Sequence, residues 1–452
     1  MRAEVEAQVA EWRGYLQRHR AIAGADLDEL EDHLRAQIDD LIAAGLTDDE
    51  AFLVAIKRMG GSDALSREFA REHSERMWKQ LTVADDVAGP RGEPAIVIGL
   101  GAAAGLAVAT LIELFGAGGT FATAGSGLTL LRIVPLVVLA FLSAYFVWKR
   151  RPRARTTVAL AAAFAALVIV EAVMPFPGMT DPTTELLTAI HLPIAAWGLV
   201  GLAYAGGRWR DHAARMDVVR FTGEFAVYFV LLALGGGVLI GLTSAVLSLA
   251  GADPWPAMDV VLRLCVPGAV LVSAWLVEAK QSVIENIVPV LTRVFTPLAM
   301  LALLWMLVAL ATAGSLARVD RQLLILMDGV LILVLALTLY TISARDGLAP
   351  PRPFDAVQLG LIVTAIAVDA LALAAMITRI AEWGVSANKA AALGLNLLLL
   401  AHLAGQAWLT LRFLRRRGGF AALERWQTAF LPLYPIWAAV VALAFPFLFG
   451  FA

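Results

Sequence analysis

From Pro94 to the carboxyl end the chain is a succession of apolar runs separated by short polar stretches. Roughly 20 apolar residues in helical form cross a hydrocarbon layer about 30 Å thick, and a lipid-spanning segment must satisfy its own backbone. Runs of that length are too many for the core of a water-soluble domain. Eleven can be drawn, at 94–115, 128–148, 156–176, 184–206, 221–250, 257–278, 287–313, 322–343, 357–380, 388–413 and 430–451. Composition agrees: of 452 residues 60% are hydrophobic and 16% charged, and the mean hydropathy is +0.75. These values exclude a soluble enzyme, a disordered chain and a disulfide-stapled secreted domain. The expected fold class is all-α: a polytopic integral membrane helix bundle of about 11 spans, preceded by a soluble helical domain.

That domain, residues 1–86, is physically different from the rest. It holds 11 Lys and Arg against 19 Asp and Glu, whereas the remainder holds 25 against 19. Its pattern is helical and too polar to span lipid. Val5, Val9, Trp12 and Leu16 recur at three- and four-residue steps, as do Leu27, Leu30, Leu34, Ile38 and Leu41. Gly45 stands where a helix cap is expected, and Thr47-Asp48-Asp49-Glu50 has the form of a capping box. A third helix follows with Ala51, Phe52, Ala55, Ile56 and Met59 on one side, and a fourth from Ala64 to about Leu81. Met1 to Arg20 is charged throughout and lacks the apolar core of a secretory signal, so the head is expected in the cytosol.

Lys and Arg accumulate on the cytoplasmic side of short loops, which tests the orientation. With the head inside, the inner loops carry Lys149, Arg150, Arg151, Arg153, Arg155, Arg208, Arg210, Arg215, Arg220, Lys280, Arg345, Arg352, Arg412, Arg415, Arg416, Arg417 and Arg425. The outer side has Arg318, Arg321, Lys389 and the boundary residue Arg379. An odd number of spans then places the carboxyl terminus outside. Trp148, Trp209 and Trp426 fall at expected inner boundaries, and Trp255 and Trp383 at outer ones. Topology accounts for the basic runs without nucleic acid; the lipid bilayer is the expected partner.

The stretch Gly45-Leu46-Thr47-Asp48-Asp49-Glu50-Ala51-Phe52, with Ala55, Arg58-Met59-Gly60 and Leu65-Ser66-Arg67-Glu68-Phe69, resembles the bacterial permease prefix domain. This helical module precedes membrane domains, including those of some ABC-type permeases, and the resemblance covers most of residues 1–80. The tail carries Phe354-Asp355, Asp369, Arg379-Ile380-Ala381-Glu382-Trp383-Gly384 and Asn388-Lys389-Ala390-Ala391-Ala392-Leu393-Gly394-Leu395-Asn396. Over roughly residues 270–450 it is similar to a bacterial family of multi-pass membrane proteins without an assigned activity. The resemblances imply residence in a bacterial inner membrane and bring no substrate or catalytic residue. The domain reading is therefore 1–86 head, 94–270 spans one to six, unplaced, and 271–452 spans seven to eleven. No GxxxxGK[ST] loop is present, so an ATPase would have to be a separate chain, and eleven spans with short outer loops depart from the prefix-bearing ABC exporters.

An ionisable side chain in hydrocarbon is costly, so each one faces protein or water and is a functional candidate. Asp369 lies near mid-membrane in span nine, and His402 has similar depth in the antiparallel span ten. Adjacent helices could bring them into contact, with Gln406 on the His402 face and Asn396 about 120° away, serving another helix. A carboxylate beside an imidazole suits a proton or cation relay; the plain alternative is a structural Asp–His hydrogen bond. A second set, Glu113, Arg132, Glu171, His191, Arg263 and Asp328, collects near the outer ends, as ion pairs or a polar vestibule. Glu224, Glu278, Lys280, Glu285 and Arg293 lie near the inner face and can snorkel to water. Pro193, Pro267-Gly268 and Pro297 interrupt spans, as in helices that line transporter sites, and Gly101/Gly105 and Gly237/Gly241 have GxxxG spacing.

Hydrolase signatures are absent, Cys265 is the single cysteine, and the six histidines are scattered, so no catalytic residue, cofactor or metal site is expected. The leading expectation is a non-enzymatic adaptor or regulatory membrane component whose head, residues 1–86, docks a cytosolic or membrane partner. The alternative is an ion- or proton-coupled secondary transporter using Asp369 and His402. Oligomeric state is not readable from glycine spacing.

Overall fold

The computed structural model describes residues 6, 8–10, 12–13, 24–59, 92–115, 126–176, 183–279, 281–312, 321–345, 347 and 349–451. The chain divides into two compact units, Met1–Gly92 and Glu93–Ala452. Among the described residues every regular element is a helix.

In the first unit, helix α1 (Gly24–Ala43) and helix α2 (Asp48–Met59) pack with the helical residues around Val9 and Trp12. The expected periodicity closes a small core: Trp12, Leu34, Ile38 and Phe52 are fully enclosed, with Ala51, Ala55 and Ile56 between them. Each large side chain so buried contributes about 1.5–3 kcal/mol relative to exposure. Gly45, at φ +97°, ends α1: its amide donates to the Ile42 carbonyl at 3.0 Å and the Leu46 amide to Leu41 at 3.2 Å. That is a Schellman cap, which a left-handed glycine permits. Glu50 reaches back to the Thr47 amide at 3.0 Å, as a capping box requires. The Thr47 hydroxyl, however, donates to the same carboxylate at 2.7 Å. Arg35 joins Glu31 on its own helix to Glu6, at 2.8 and 2.6 Å, and Arg13 bonds Glu31 from the other side. The side chains of Leu27 and Leu30, the residues Val5 and Leu16, and the expected fourth helix lie outside the described residues.

The second unit contains α3 (Glu93–Phe115), α4 (Ser126–Arg150), α5 (Ala154–Val173), α6 (Thr183–Tyr204), α7 (His212–Leu249), α8 (Trp255–Ala279), α9 (Gln281–Thr312), α10 (Arg321–Ser343), α11 (Pro353–Trp383), α12 (Ala387–Leu414), α13 (Ala421–Phe430) and α14 (Leu433–Leu448). Among the described residues ten helical segments are long and apolar enough to cross a membrane. The expected span 287–313 falls in α9, whose described apolar part, Thr292–Val308, is shorter than the rest. Two boundaries differ from the sequence reading. Helix α7 starts at His212 rather than 221, because Asp211 caps it by accepting from the Ala213 amide at 3.0 Å. The last apolar segment, Ala421–Leu448, begins with α13, an amphipathic ten-residue helix that runs on into α14 through Leu431 and Pro432.

Two apolar nuclei organise this unit. One is formed by α3, α4, α5, α6, α7 and α8, around Leu142, Phe146, Leu192 and Phe221. The other is formed by α9 to α12, around Leu303, Leu331, Ala365 and Leu399. Helix α14 interlocks the halves drawn at 270: Ala442 belongs to the first nucleus and its carbonyl accepts from Thr188 of α6 at 3.0 Å, while Trp437 donates to Ala391 of α12. Gly101 and Gly105 let α3 lie against α8, where a Cβ on Gly105 would come within 2.7 Å of the Leu264 carbonyl oxygen. Among the described residues no atom lies within 4 Å of a Cβ built on Gly237 or Gly241 of the other GxxxG pair.

Candidate functional site

Helix α11 buries Leu361, Ala365, Val368, Asp369 and Ala372 on one side, a 3.6-residue stripe in which the carboxylate takes an apolar position. Asp369 is fully enclosed, 16 residues into the helix, about 24 Å along its axis. Neither of its oxygens has a hydrogen-bond partner among the described residues. Asp328 of α10 and Tyr434 of α14 lie within electrostatic range of it.

His402 is also fully enclosed, yet it does not pair with Asp369. Its Nε2 faces the Gln427 Oε1 at 2.6 Å and its Nδ1 the Tyr434 hydroxyl at 2.8 Å, while the ring stacks on Phe430 at 4.8 Å. A carbonyl oxygen only accepts, so with this amide orientation Nε2 carries the proton and Nδ1 accepts from Tyr434. The expected Asp–His contact is therefore corrected: both ring nitrogens are taken by residues of the last span. Gln427 belongs to α13, a segment that the sequence reading left between spans, and Tyr434 follows Leu431 and Pro432. Leu431 and Pro432 keep right-handed helical dihedrals, so Gln427, Phe430 and Tyr434, spaced three and four residues apart, stay on one face and all meet one imidazole. Gly405 makes room beneath Trp426, whose indole donates to the His402 carbonyl at 3.0 Å. Trp426 thus serves as internal packing rather than as an interfacial anchor, whereas Trp255 and Trp383 are exposed.

Asn396 does serve another helix. Its amide nitrogen donates to Asp328 Oδ1 at 3.0 Å, and its own oxygen is buried without a partner among the described residues. Asp328 is thereby removed from the outer set and joined to Asp369 and Asn396. Gln406 is buried on the α12 face with its oxygen likewise unpartnered.

The remaining outer set separates into two. Arg132 bonds Glu171 at 2.9 Å and Glu185 at 3.2 Å, and lies 4.3 Å over the Phe176 ring. All three charged groups are nearly inaccessible. Arg263 pairs with Glu113 and with Asp259, one turn earlier on its own helix. His191 bonds back to the Leu187 carbonyl at 2.9 Å and joins neither group. There is no common vestibule among these residues. Glu185 and Asp259 were missed as partners, although Glu185 is an acid in the first turn of α6 and Asp259 stands one turn before Arg263 on the same helix. Glu278 does not snorkel: it pairs with Lys149 at 3.1 Å and Arg150 at 2.7 Å, and Lys149 also bonds Glu93 at 2.7 Å. The side chains of Lys280 and Glu285 lie outside the described residues.

A guanidinium enclosed between two buried carboxylates, as at Arg132, is a fixed structural charge cluster. Two carboxylates with an amide and, among the described residues, no cation beside them are not, since such acids must hold a proton or be given a cation. The second arrangement can take up a proton or a cation; the enclosed Arg132 cluster cannot without losing its partners, whereas the acids around Arg263 are still open to the surface. Among the described residues no three His, Cys, Asp or Glu side chains are placed to hold a metal ion together. No protein-family model, curated protein or solved structure matches this chain.

Proposed function

We propose that the chain is a proton-coupled secondary transporter, or the permease component of one, in which Asp369 carries the proton. The observation that supports it most directly is a fully enclosed carboxylate with both oxygens unpartnered, in range of a second carboxylate and of the Tyr434–His402–Gln427 chain. A buried acid without a counter-charge either holds a proton or must be given a cation, so its state follows the side of the membrane to which it opens. Tyr434, bonded to His402 and in electrostatic range of Asp369, couples the charge of the acid to the imidazole. In this reading eleven spans lie in a bacterial inner membrane, the head is cytosolic and the carboxyl terminus is outside.

The test is a pH jump on proteoliposomes adsorbed to a solid-supported membrane. Protonation of a carboxylate inside the bilayer moves charge and should give a transient current even with no substrate present. That current should vanish in Asp369→Asn. An identical current in wild type and Asp369→Asn would sink the proposal.

A second reading concerns the head, which the resemblance makes a permease prefix module. Its separate core, with Asp32, Asp39, Asp40, Asp49 and Glu50 exposed around it, favours an acidic docking surface for a basic protein partner. Neither reading involves catalysis. Deleting residues 1–80 should leave the pH-jump current intact and release any partner seen by native mass spectrometry; retention of that partner would count against the adaptor role.

A further inference from the structure

Three helices of the first apolar nucleus carry an internal proline: Pro135 in α4, Pro193 in α6 and Pro267 in α8. All three line one cavity of about 950 Å³. A proline lacks the N–H that would bond the carbonyl four residues earlier, and it bends or spreads the helix there. Three such positions on one space mark an opening between helices. Trp197, Phe225 and Phe229 present rings to it. Its charged lining is limited, among the described residues, to Asp259 and Arg263 at the Trp255 end of α8.

The sign of that rim is decided by the pairing. Arg263 gives Nε and one terminal nitrogen to the two Asp259 oxygens, at 2.8 and 2.7 Å, and its other terminal nitrogen to Glu113 at 2.5 Å. Two carboxylates face one guanidinium, so among the described residues the rim offers no free cation and keeps an excess negative charge. Aromatic faces attract positive charge as well. A strongly hydrated small cation would gain too little from so apolar a wall, whereas a large cation with a spread charge keeps its apolar body buried.

The cavity adjoins a second one, of about 280 Å³, that Tyr434 lines. The two share Ile194, Trp197, Thr222 and Ala226. At the shared wall Trp197 Nε1 donates to Thr222 Oγ1 at 3.2 Å, a single hydrogen bond between a ring and a hydroxyl.

We infer that the large cavity binds a lipophilic cation, an aromatic or branched apolar body bearing one positive charge, which enters sideways from the bilayer. Its charge lies at Asp259 and Glu113 and its body against Trp197 and Phe225. This deepens the transport reading and rests on it for passage towards Tyr434; binding itself stands apart from flux. An ordinary lipid chain is the competing occupant, and it has no use for the acidic rim.

The experiment uses the full-length protein in phosphatidylcholine nanodiscs, with binding of tritiated tetraphenylphosphonium read by scintillation proximity and empty nanodiscs subtracted. Tetraphenylborate, of nearly the same shape and opposite charge, is the competitor. Saturable binding that tetraphenylborate does not displace is expected. Asp259→Asn should weaken it about tenfold, as loss of a charge-assisted contact does, and Asp259→Glu should restore it. Glu113→Gln, at an exposed position, removes the same excess charge and guards against a folding defect in the first variant. Displacement by tetraphenylborate at equal concentration, or wild-type affinity in both Asp259→Asn and Glu113→Gln, overturns the inference. Binding with a pH-jump current that ignores Asp369 would keep this site and discard the transport reading. A current that needs Asp369, with no binding of the cation, would do the reverse.

Discussion

Two clusters of enclosed or half-buried acid lie in the second unit, and they answer the same cost in opposite ways. Glu171 and Glu185 enclose Arg132, so the carboxylates arrive with a counter-charge and bind it from two helices. Asp328 and Asp369 arrive with an amide, Asn396, which gives one of them a single hydrogen bond and the other none. Burying two acids around a cation produces a lock, because removing any member leaves charge exposed to hydrocarbon. Burying two acids without a cation produces a vacancy for one. Glu171, Glu185 and Asp369 are enclosed and Asp328 is half-buried; the presence of one guanidinium separates a structural cluster from a candidate carrier.

The comparison can be broken most decisively at Arg132. Arg132→Met should destabilise the unit by about 3–5 kcal/mol, since two enclosed carboxylates lose their cation. Thermal unfolding in detergent should show it, and adding Glu171→Leu and Glu185→Leu should recover most of the loss. If the single change is silent, the cluster is not a lock. Next in size is Asn396→Leu, which strips Asp328 of its donor and should cost about 1–3 kcal/mol by the same measurement. Asp369→Asn should be milder, within about 1 kcal/mol of wild type, because it removes no hydrogen bond present in the fold, while it abolishes the pH-jump current. A loss as large as that of Arg132→Met would make Asp369 a structural residue and end the contrast.

The smallest effect belongs to the water-exposed counterpart of these pairs in the head. The Arg13 and Arg35 guanidiniums hold the Glu31 carboxyl below its ordinary value of 4.5, and Arg35 does the same to Glu6. A depressed carboxylate adds stability above its unfolded value and loses it as pH falls through the native one. Hydrogen exchange of residues 24–59 in the full-length protein, corrected for intrinsic rates, should therefore rise a few-fold as pH drops from 5 towards about 3. Arg35→Leu should remove most of that acid dependence; an unchanged pH profile would show that the pairs carry no stability.

Much of the helical framework was legible in the residues, as were the Gly45 cap and the reach of Glu50 back to Thr47. Legibility failed where partners come from distant parts of the chain. Asp328 was grouped by depth with the outer acids, yet it sits beside Asn396, 68 residues away. His402 was matched to Asp369 by equal depth on adjacent helices, but depth says nothing about rotation, and its ring turns to Gln427 and Tyr434. The two GxxxG pairs look alike as sequence, and among the described residues one packs while the other does not.

What this sequence determined by itself is where the chain is helical and apolar enough to span lipid, because hydropathy over about twenty residues and the chemistry of a cap act within one segment. Which buried acid meets a cation was decided by tertiary structure alone. That outcome depends on which helices become neighbours and how each is rotated about its axis, and those are set by packing across the whole unit rather than by any local run of residues.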